Sequence, residues 1–130
     1  MHVRVELTNV VETAAALHQL GARVMDPVED ALERGGQWVT YEARDRLRPQ
    51  ITGTYLRHYS RSITSETERA PGRVSMIVGP ETGRLQGAFG PGVEFGSVNA
   101  PPFPHLFDAF DARRESILDR AGRNIDRWPR

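Results

Sequence analysis

The chain has 130 residues, a formal net charge of zero and no cysteine. This length suffices for one domain with its own hydrophobic core, and the missing cysteines exclude disulfide bonds and thiolate metal sites. A neutral chain gives no overall basicity that would indicate nucleic-acid binding. Apolar runs stay well short of the roughly 18 residues of a membrane span, and the amino terminus lacks the blocks of a signal peptide. We expect a single soluble domain over residues 1–130, made in the cytoplasm and not associated with a membrane.

The amino-terminal part predicts a strand followed by a helix. Residues 2–8 alternate apolar and polar side chains, which is the period of a half-buried strand. Thr8 or Asn9 can then cap a short amphipathic helix, for which Gly21 is a natural end. We therefore expect the chain to open with one strand and one short helix.

A second, longer helix has the clearest start signal in the sequence. Asp26 can cap it, and Pro27 suits its first turn. Pro49 is expected to end it, because the residue before a proline avoids the helical region. Within this helix, Gly35 and Gly36 predict either a bend or a neighbour that packs very closely.

The middle of the chain predicts antiparallel strands. Two runs with apolar residues, 60–64 and 74–79, flank a polar segment that contains Pro71 and Gly72, so we expect a β-hairpin with a long, mobile loop around Glu66–Arg73. After a glycine-rich segment, Val93–Gly96 predicts a further strand. Three or four strands result.

Glu94 is the one acid in that last predicted strand. Strand alternation would place it on the face opposite Val93 and Phe95. Two interpretations remain open: a solvated acid at a sheet edge, or an acid paired with an arginine of a neighbouring subunit. The candidate arginines are Arg57, Arg61, Arg113 and Arg114.

A built corner follows, and then a closing helix. Gly96 and three prolines, Pro101, Pro102 and Pro104, restrict the backbone route, and apolar residues at helical spacing predict a helix from Pro104 nearly to the terminus. The predicted class is therefore α+β. It is a small antiparallel sheet of about four strands, with a long amino-terminal helical region and a carboxy-terminal helix packed on one face.

The sequence contains no recognisable motif for a metal site, a catalytic nucleophile or a phosphate loop. The four histidines are scattered without metal-ligand spacing, a GxSxG motif is absent, and the segment GPETGR lacks the lysine of a phosphate loop. We expect no catalytic residue, no cofactor and no metal, and hence no enzyme. The arginines of the last helix are interpreted either as a solvated face or as contacts to phosphate or an acidic partner. The second interpretation makes an arginine-rich nucleic-acid-binding module the alternative function.

Three pieces in order resemble a known family. They are the turn Thr52, Gly53, Thr54, Tyr55, Leu56, Arg57 with Ser62 and Ile63, the segment Val93–Gly96, and the bend Ala100–Leu106. Together they resemble the head-to-tail joining proteins of long-tailed double-stranded DNA phages, also called neck or tail-completion proteins. The resemblance covers roughly residues 3–120.

This resemblance implies a virion structural protein of the phage neck without catalytic residues or cofactors. Such a protein assembles into an oligomeric ring, with a hexamer favoured and a dodecamer possible, between the portal or connector side of the head and the tail. Its partners would be sister copies, a head-closure or stopper protein, and a tail terminator or tail tube protein. Packaged double-stranded DNA would pass through the lumen, although the resemblance does not say which residues face the DNA.

A ring subunit needs two different faces that meet head to tail, and the corner is our candidate for one of them. Aromatic side chains are enriched in interface cores, so we assign Phe103 to the interface and Phe107 or Phe110 to the protein core. The expected interface residues are Arg57, Glu94, Phe95, Gly96, Pro101, Pro102 and Phe103.

Overall fold

The computed structural model describes residues 3–6, 21–52, 56–98 and 100–128. The predicted first helix, between Thr8 and Gly21, lies outside these residues except for its end. The described elements, in chain order, are β1 (Val3–Glu6), α1 (Gly21–Leu47), α2 (Tyr59–Ser62), β2 (Ile63–Ala70), β3 (Arg73–Pro80), α3 (Gly90–Phe95) and α4 (Leu106–Arg127). Short 3-10 turns occupy Arg48–Gln50 and Gly87–Phe89.

The predicted α+β class is confirmed, with a long helix in the amino-terminal half and a second long helix at the carboxyl end. The described residues form an antiparallel sheet of three strands in the order β1-β3-β2, rather than about four. The difference is at Val93–Gly96, where the predicted strand is wrong, because Gly90–Phe95 forms the short helix α3. Pro91 lies in its first turn, where a proline costs no hydrogen bond.

The predicted hairpin exists, but its long mobile loop is wrong. β2 and β3 pair in an unbroken register from Ile63↔Pro80 to Ala70↔Arg73, so only Pro71 and Gly72 form the turn. Gly72 has φ 72°, a conformation in which glycine carries no steric cost. The polar residues of β2 are tolerated because this strand is at the sheet edge, where charged side chains remain in water.

Helix α1 begins at Gly21, before the predicted cap at Asp26, and continues through Pro27. The Asp26 carboxylate instead contacts Arg69 of β2, together with Glu29. The predicted end is confirmed: α1 stops at Leu47, and Pro49 lies in the following 3-10 turn.

Helix α1 lies between the hairpin and α4, and its paired glycines explain how closely these layers approach. A Cβ on Gly36 would be 2.9 Å from the Ser65 Cβ, and a Cβ on Gly35 would be 2.7 Å from the Ile117 Cγ1. Close packing, one of the two predicted explanations for the glycine pair, is therefore present. The closing helix packs mainly on α1 rather than directly on the sheet.

The hydrophobic core fills the space on both sides of α1. It includes Val28, Leu32, Val39 and Leu47 of α1, Val74, Met76 and Val78 of β3, and Ala109 and Ile117 of α4. Among the described helices, none is both long and apolar enough to cross a bilayer. Leu106, the first residue of α4, directly follows the segment that connects α3 to α4.

Candidate functional site

The corner is the segment of residues 95–107, which leads from the end of α3 into the first turn of α4 and is described except for residue 99. Gly96 has φ 86°, as expected for a glycine that turns the chain. A Cβ at this position would lie 2.9 Å from the backbone nitrogen of Pro102 and 3.0 Å from its Cδ. Both the positive φ and the close approach therefore require glycine here.

Three backbone hydrogen bonds hold the described residues of the corner. Ser97 and Ala100 exchange N–H···O bonds of 2.9 and 3.3 Å, which closes a tight turn around Val98. The N–H of Phe103 donates to the carbonyl of Val93 at 2.7 Å and returns the chain to α3. The described residues of the corner therefore form a hydrogen-bonded turn, in agreement with the proline and glycine pattern of the sequence.

The buried side chain of Glu94 accepts hydrogen bonds from the start of α4. Its side chain is 2% exposed. Its Oε2 accepts from the backbone N–H groups of His105 and Leu106 at 2.9 and 3.0 Å, and its Oε1 accepts from that of Phe107 at 3.1 Å. These amides belong to the start of α4, which has no residue of its own to cap them.

Both sequence interpretations of Glu94 are therefore wrong. They took it as a solvated edge acid or as the partner of an arginine on another subunit, whereas it caps the last helix of its own chain. The error comes from assigning Val93–Gly96 to a strand. In helix α3 the Glu94 side chain is directed inward, where the amide dipoles of α4 stabilise its charge.

His105 extends this contact to a third segment. Its Nδ1 is 2.9 Å from Glu94 Oε2 and 3.0 Å from the carbonyl of Phe103, and its Nε2 is 2.7 Å from the Tyr59 hydroxyl. Because both neighbours of Nδ1 are acceptors, Nδ1 carries a proton, and in the neutral ring Nε2 accepts from Tyr59. We call Tyr59, Glu94 and His105 the clasp.

The environment of the clasp changes two pKa values. Burial opposes the charge of Glu94, but hydrogen bonds from His105 and from the amides of Leu106 and Phe107 outweigh it, so the pKa of this carboxyl is lowered. Burial, with a contribution from the negative charge of Glu94, raises the pKa of the Tyr59 hydroxyl well above its usual 10.0. Tyr59 and His105 have no exposed surface. The arrangement thus orders backbone segments and leaves no opening for a substrate at these side chains.

Apolar side chains lie on the outer surface of the corner. Phe95 is 62% exposed, Phe107 is 45% exposed, and Val98 is fully exposed at the tip of its turn. The rings of Phe95 and Phe107 touch, with centroids 6.2 Å apart. Pro101 and Pro102 are also exposed beside them. Grouped exposed apolar side chains of this kind mark interaction sites more often than single ones do.

The structure brings together four of the expected interface residues. Phe95, Gly96, Pro101 and Pro102 line one open hollow on the corner. Arg57 is exposed but is not part of that hollow.

The assignment of Phe107 or Phe110 to the core is met by Phe110. Phe103, expected at the interface, is half-buried and packs on the core, as does Phe110. Phe107 is exposed and belongs to the corner surface. Sequence reasoning missed Tyr59 and His105. The position of His105 in the first turn of the helix predicted from Pro104 was an available signal, whereas nothing near Tyr59 indicated its role.

The arginines of α4 are divided between two faces. Arg113 and Arg120 reach acids of α1, with 3.8 Å to Glu42 and 3.8 Å to Asp30, and Arg120 also lies over the ring of Trp38. The exposed charged side chains of α4 include more acids than arginines. They are Asp108, Asp111, Glu115, Asp119 and Asp126 against Arg114, Arg123 and Arg127.

Comparisons with protein-family models, with curated proteins and with solved structures find no match to this chain. Within residues 3–6, 21–52, 56–98 and 100–128, no three acidic or histidine side chains are arranged as metal ligands. The corner, with its buried clasp and exposed aromatic surface, is the candidate functional site.

Proposed function

We propose that this chain is a structural protein of the virion neck in a long-tailed double-stranded DNA phage. In this proposal it assembles into a ring that connects the portal side of the DNA-filled head to the tail, and the genome passes through the ring. It acts by shape and by docking to sister copies and to the neighbouring neck and tail proteins. The motif order in the sequence is the starting point for the proposal.

One structural observation carries it further: the corner exposes apolar side chains on a backbone that is already fixed. The Gly96 turn and the clasp hold the corner from two sides, while Phe95 and Phe107 remain in contact on the outside. A surface that is ordered before binding loses little conformational entropy when a partner docks. Aromatic side chains on such a surface supply large contact areas.

The charge distribution supports the docking role over the alternative of a nucleic-acid-binding module. Binding to a phosphate backbone requires arginines that face outward together. In α4, Arg113 and Arg120 are directed to acids of α1, and the exposed charged side chains are predominantly acidic. The last helix is therefore poorly suited to hold DNA.

The experiment is electron microscopy of particles from a phage that encodes this chain, with the subunit located by its density. We expect a ring at the head–tail junction in which the corner contacts a neighbouring chain. The double variant Phe95→Ser/Phe107→Ser should give filled heads and free tails that do not join. A matched surface control, Leu118→Ser on the exposed face of α4, should join normally.

The proposal would be contradicted by a particle whose neck lacks this chain, by a neck in which the corner faces solvent, or by normal joining of Phe95→Ser/Phe107→Ser particles. It would also be contradicted by a purified protein that stays monomeric and binds duplex DNA with an affinity that falls steeply with salt, which is the signature of phosphate contacts.

A further inference from the structure

Glu94 is linked to both members of the exposed aromatic pair, Phe95 and Phe107. Phe95 is the next residue in the chain, and the amide of Phe107 donates to the Glu94 carboxylate. Glu94 is therefore linked to Phe95 by the peptide bond between them and to Phe107 by a hydrogen bond of its side chain. The two phenylalanines come from different helices, α3 and α4.

We propose that Glu94 is a positioning residue of the docking corner, which sets the distance between Phe95 and Phe107 and so preforms the surface that a sister copy contacts. This inference rests on the proposed ring assembly, and it adds which buried group makes the corner competent for it. His105 assists, because its ring fills the space between Glu94 and Tyr59 and ties the start of α4 to α2.

The geometry supports positioning beyond a general contribution to folding. Most of the core lies around α1, between the sheet and α4, whereas the hydrogen bonds of the Glu94 carboxylate go to the first residues of α4 and to the ring of His105. A neutral amide in place of the carboxylate keeps the volume but offers a single acceptor oxygen to amides that now use two. Its NH2 group would also face backbone N–H donors. Local loosening at residues 105–107 is the expected result.

The first test is amide hydrogen exchange in Glu94→Gln. The amides of His105, Leu106 and Phe107 should exchange roughly tenfold faster or more than the change in global stability explains, since hydrogen bonds to charged groups are among the stronger ones. The control is Met76→Ala, which removes buried volume beside Gly36 and away from the corner. It should not affect those three amides selectively. Unchanged local exchange in Glu94→Gln would overturn the inference.

The second test is joining of heads to tails, with Glu94→Gln and Met76→Ala compared at temperatures that give equal unfolded fractions. We expect Glu94→Gln to lose most joining and Met76→Ala to retain it. Equal joining by the two variants would show that Glu94 acts only through stability and would overturn the inference.

The two proposals fail in distinguishable ways. If Phe95→Ser/Phe107→Ser particles join normally, the proposed function is wrong, whatever exchange shows. If that double variant fails while Glu94→Gln joins normally, only the positioning role is wrong. Should Glu94→Gln not fold, Tyr59→Phe removes just the hydroxyl that orients His105. It should accelerate exchange at His105 selectively, and a uniform change across the chain would count against the inference.

Discussion

Two of the polar contacts that hold helix α4 to the rest of the molecule differ physically. At its start, the clasp buries a carboxylate and an imidazole with hydrogen bonds of 2.7 to 3.1 Å. Along its length, a charged seam of Arg113 and Arg120 against Glu42 and Asp30 is half-exposed, with nitrogen–oxygen distances of 3.8 Å. The Nε atoms of both arginines are buried without a hydrogen-bond partner among the described residues.

The clasp specifies the position of α4 more strictly than the seam does. A loose, solvated ion pair can slide or exchange partners at little cost, so the seam selects no single position of α4 along α1. The clasp has one satisfactory arrangement, because each Glu94 oxygen is matched to particular amides. We infer that packing holds α4 to α1 and that the clasp decides where α4 begins.

The largest expected effect comes from breaking the clasp with Glu94→Leu. Three backbone amides and the Nδ1–H of His105 would lose an acceptor in a buried site, and loss of one partner from a buried charged contact costs about 3–5 kcal/mol. Urea unfolding followed by circular dichroism would measure this loss in the free energy of unfolding. A loss below about 1 kcal/mol would place the clasp in the same class as the seam.

The next effect tests the packing beneath the seam. Gly35→Ala gains helix propensity, but its Cβ would meet Ile117 at 2.7 Å, so we expect a net loss of about 1–3 kcal/mol. Gly122→Ala is the matched control in α4, because nothing lies within 4 Å of its added Cβ. That variant should gain about 0.5–1 kcal/mol. Thermal unfolding of both would compare them, and stabilisation by Gly35→Ala would show that the helices are not in tight contact there.

The clasp should also make the free energy of unfolding depend on pH in the acid range. Because the fold lowers the pKa of Glu94 below its usual 4.5, the ionised form stabilises the native state above that pH. This stability is lost as the pH falls through the folded-state pKa. Unfolding measured between about pH 3 and about pH 6 should therefore show a steeper acid loss in the wild type than in Glu94→Gln. Parallel curves would contradict this.

For Tyr59 the dependence of the free energy of unfolding on pH has the opposite sign to that for Glu94. Its raised pKa means that the fold favours the protonated hydroxyl, so this contribution is complete below the usual pKa of 10.0 and declines as the pH rises above it. Tyr59→Phe should lessen that decline. The difference between the phenolate absorbance titrations of the wild type and Tyr59→Phe would isolate this group among the three tyrosines of the chain.

The sequence predicted those parts of the fold that are marked by a long apolar repeat or by residues with a restricted backbone, such as glycine and proline. The closing helix follows from apolar spacing that includes Leu106, Ile117 and Ala121, and the turn at Gly96 follows from glycine among prolines. The α+β class came from the order of such segments. Close packing at Gly35 and Gly36 was one of two predicted outcomes, and only the tertiary structure could select it.

The errors arise where a segment is short or where partners are distant in sequence. Four residues, Val93–Gly96, cannot separate strand alternation from one helical turn. The polar edge strand β2 has the composition of a loop, because only one of its faces meets α1. The clasp joins Tyr59 to a histidine 46 positions away. No local pattern encodes that contact, so the central feature of the site was not predictable.

Removing one charge from the seam should change the free energy of unfolding least. Arg113→Gln removes a charge that is 3.8 Å from Glu42, and the side chains are 43% and 22% exposed. Solvent screens such a pair, so the free energy of unfolding should change by less than about 1 kcal/mol. A double-mutant cycle with Glu42→Gln would isolate the coupling, which should weaken further with added salt. Coupling as large as the loss in Glu94→Leu would mean that the seam also fixes the position of α4, and that the distinction between the two contacts does not hold.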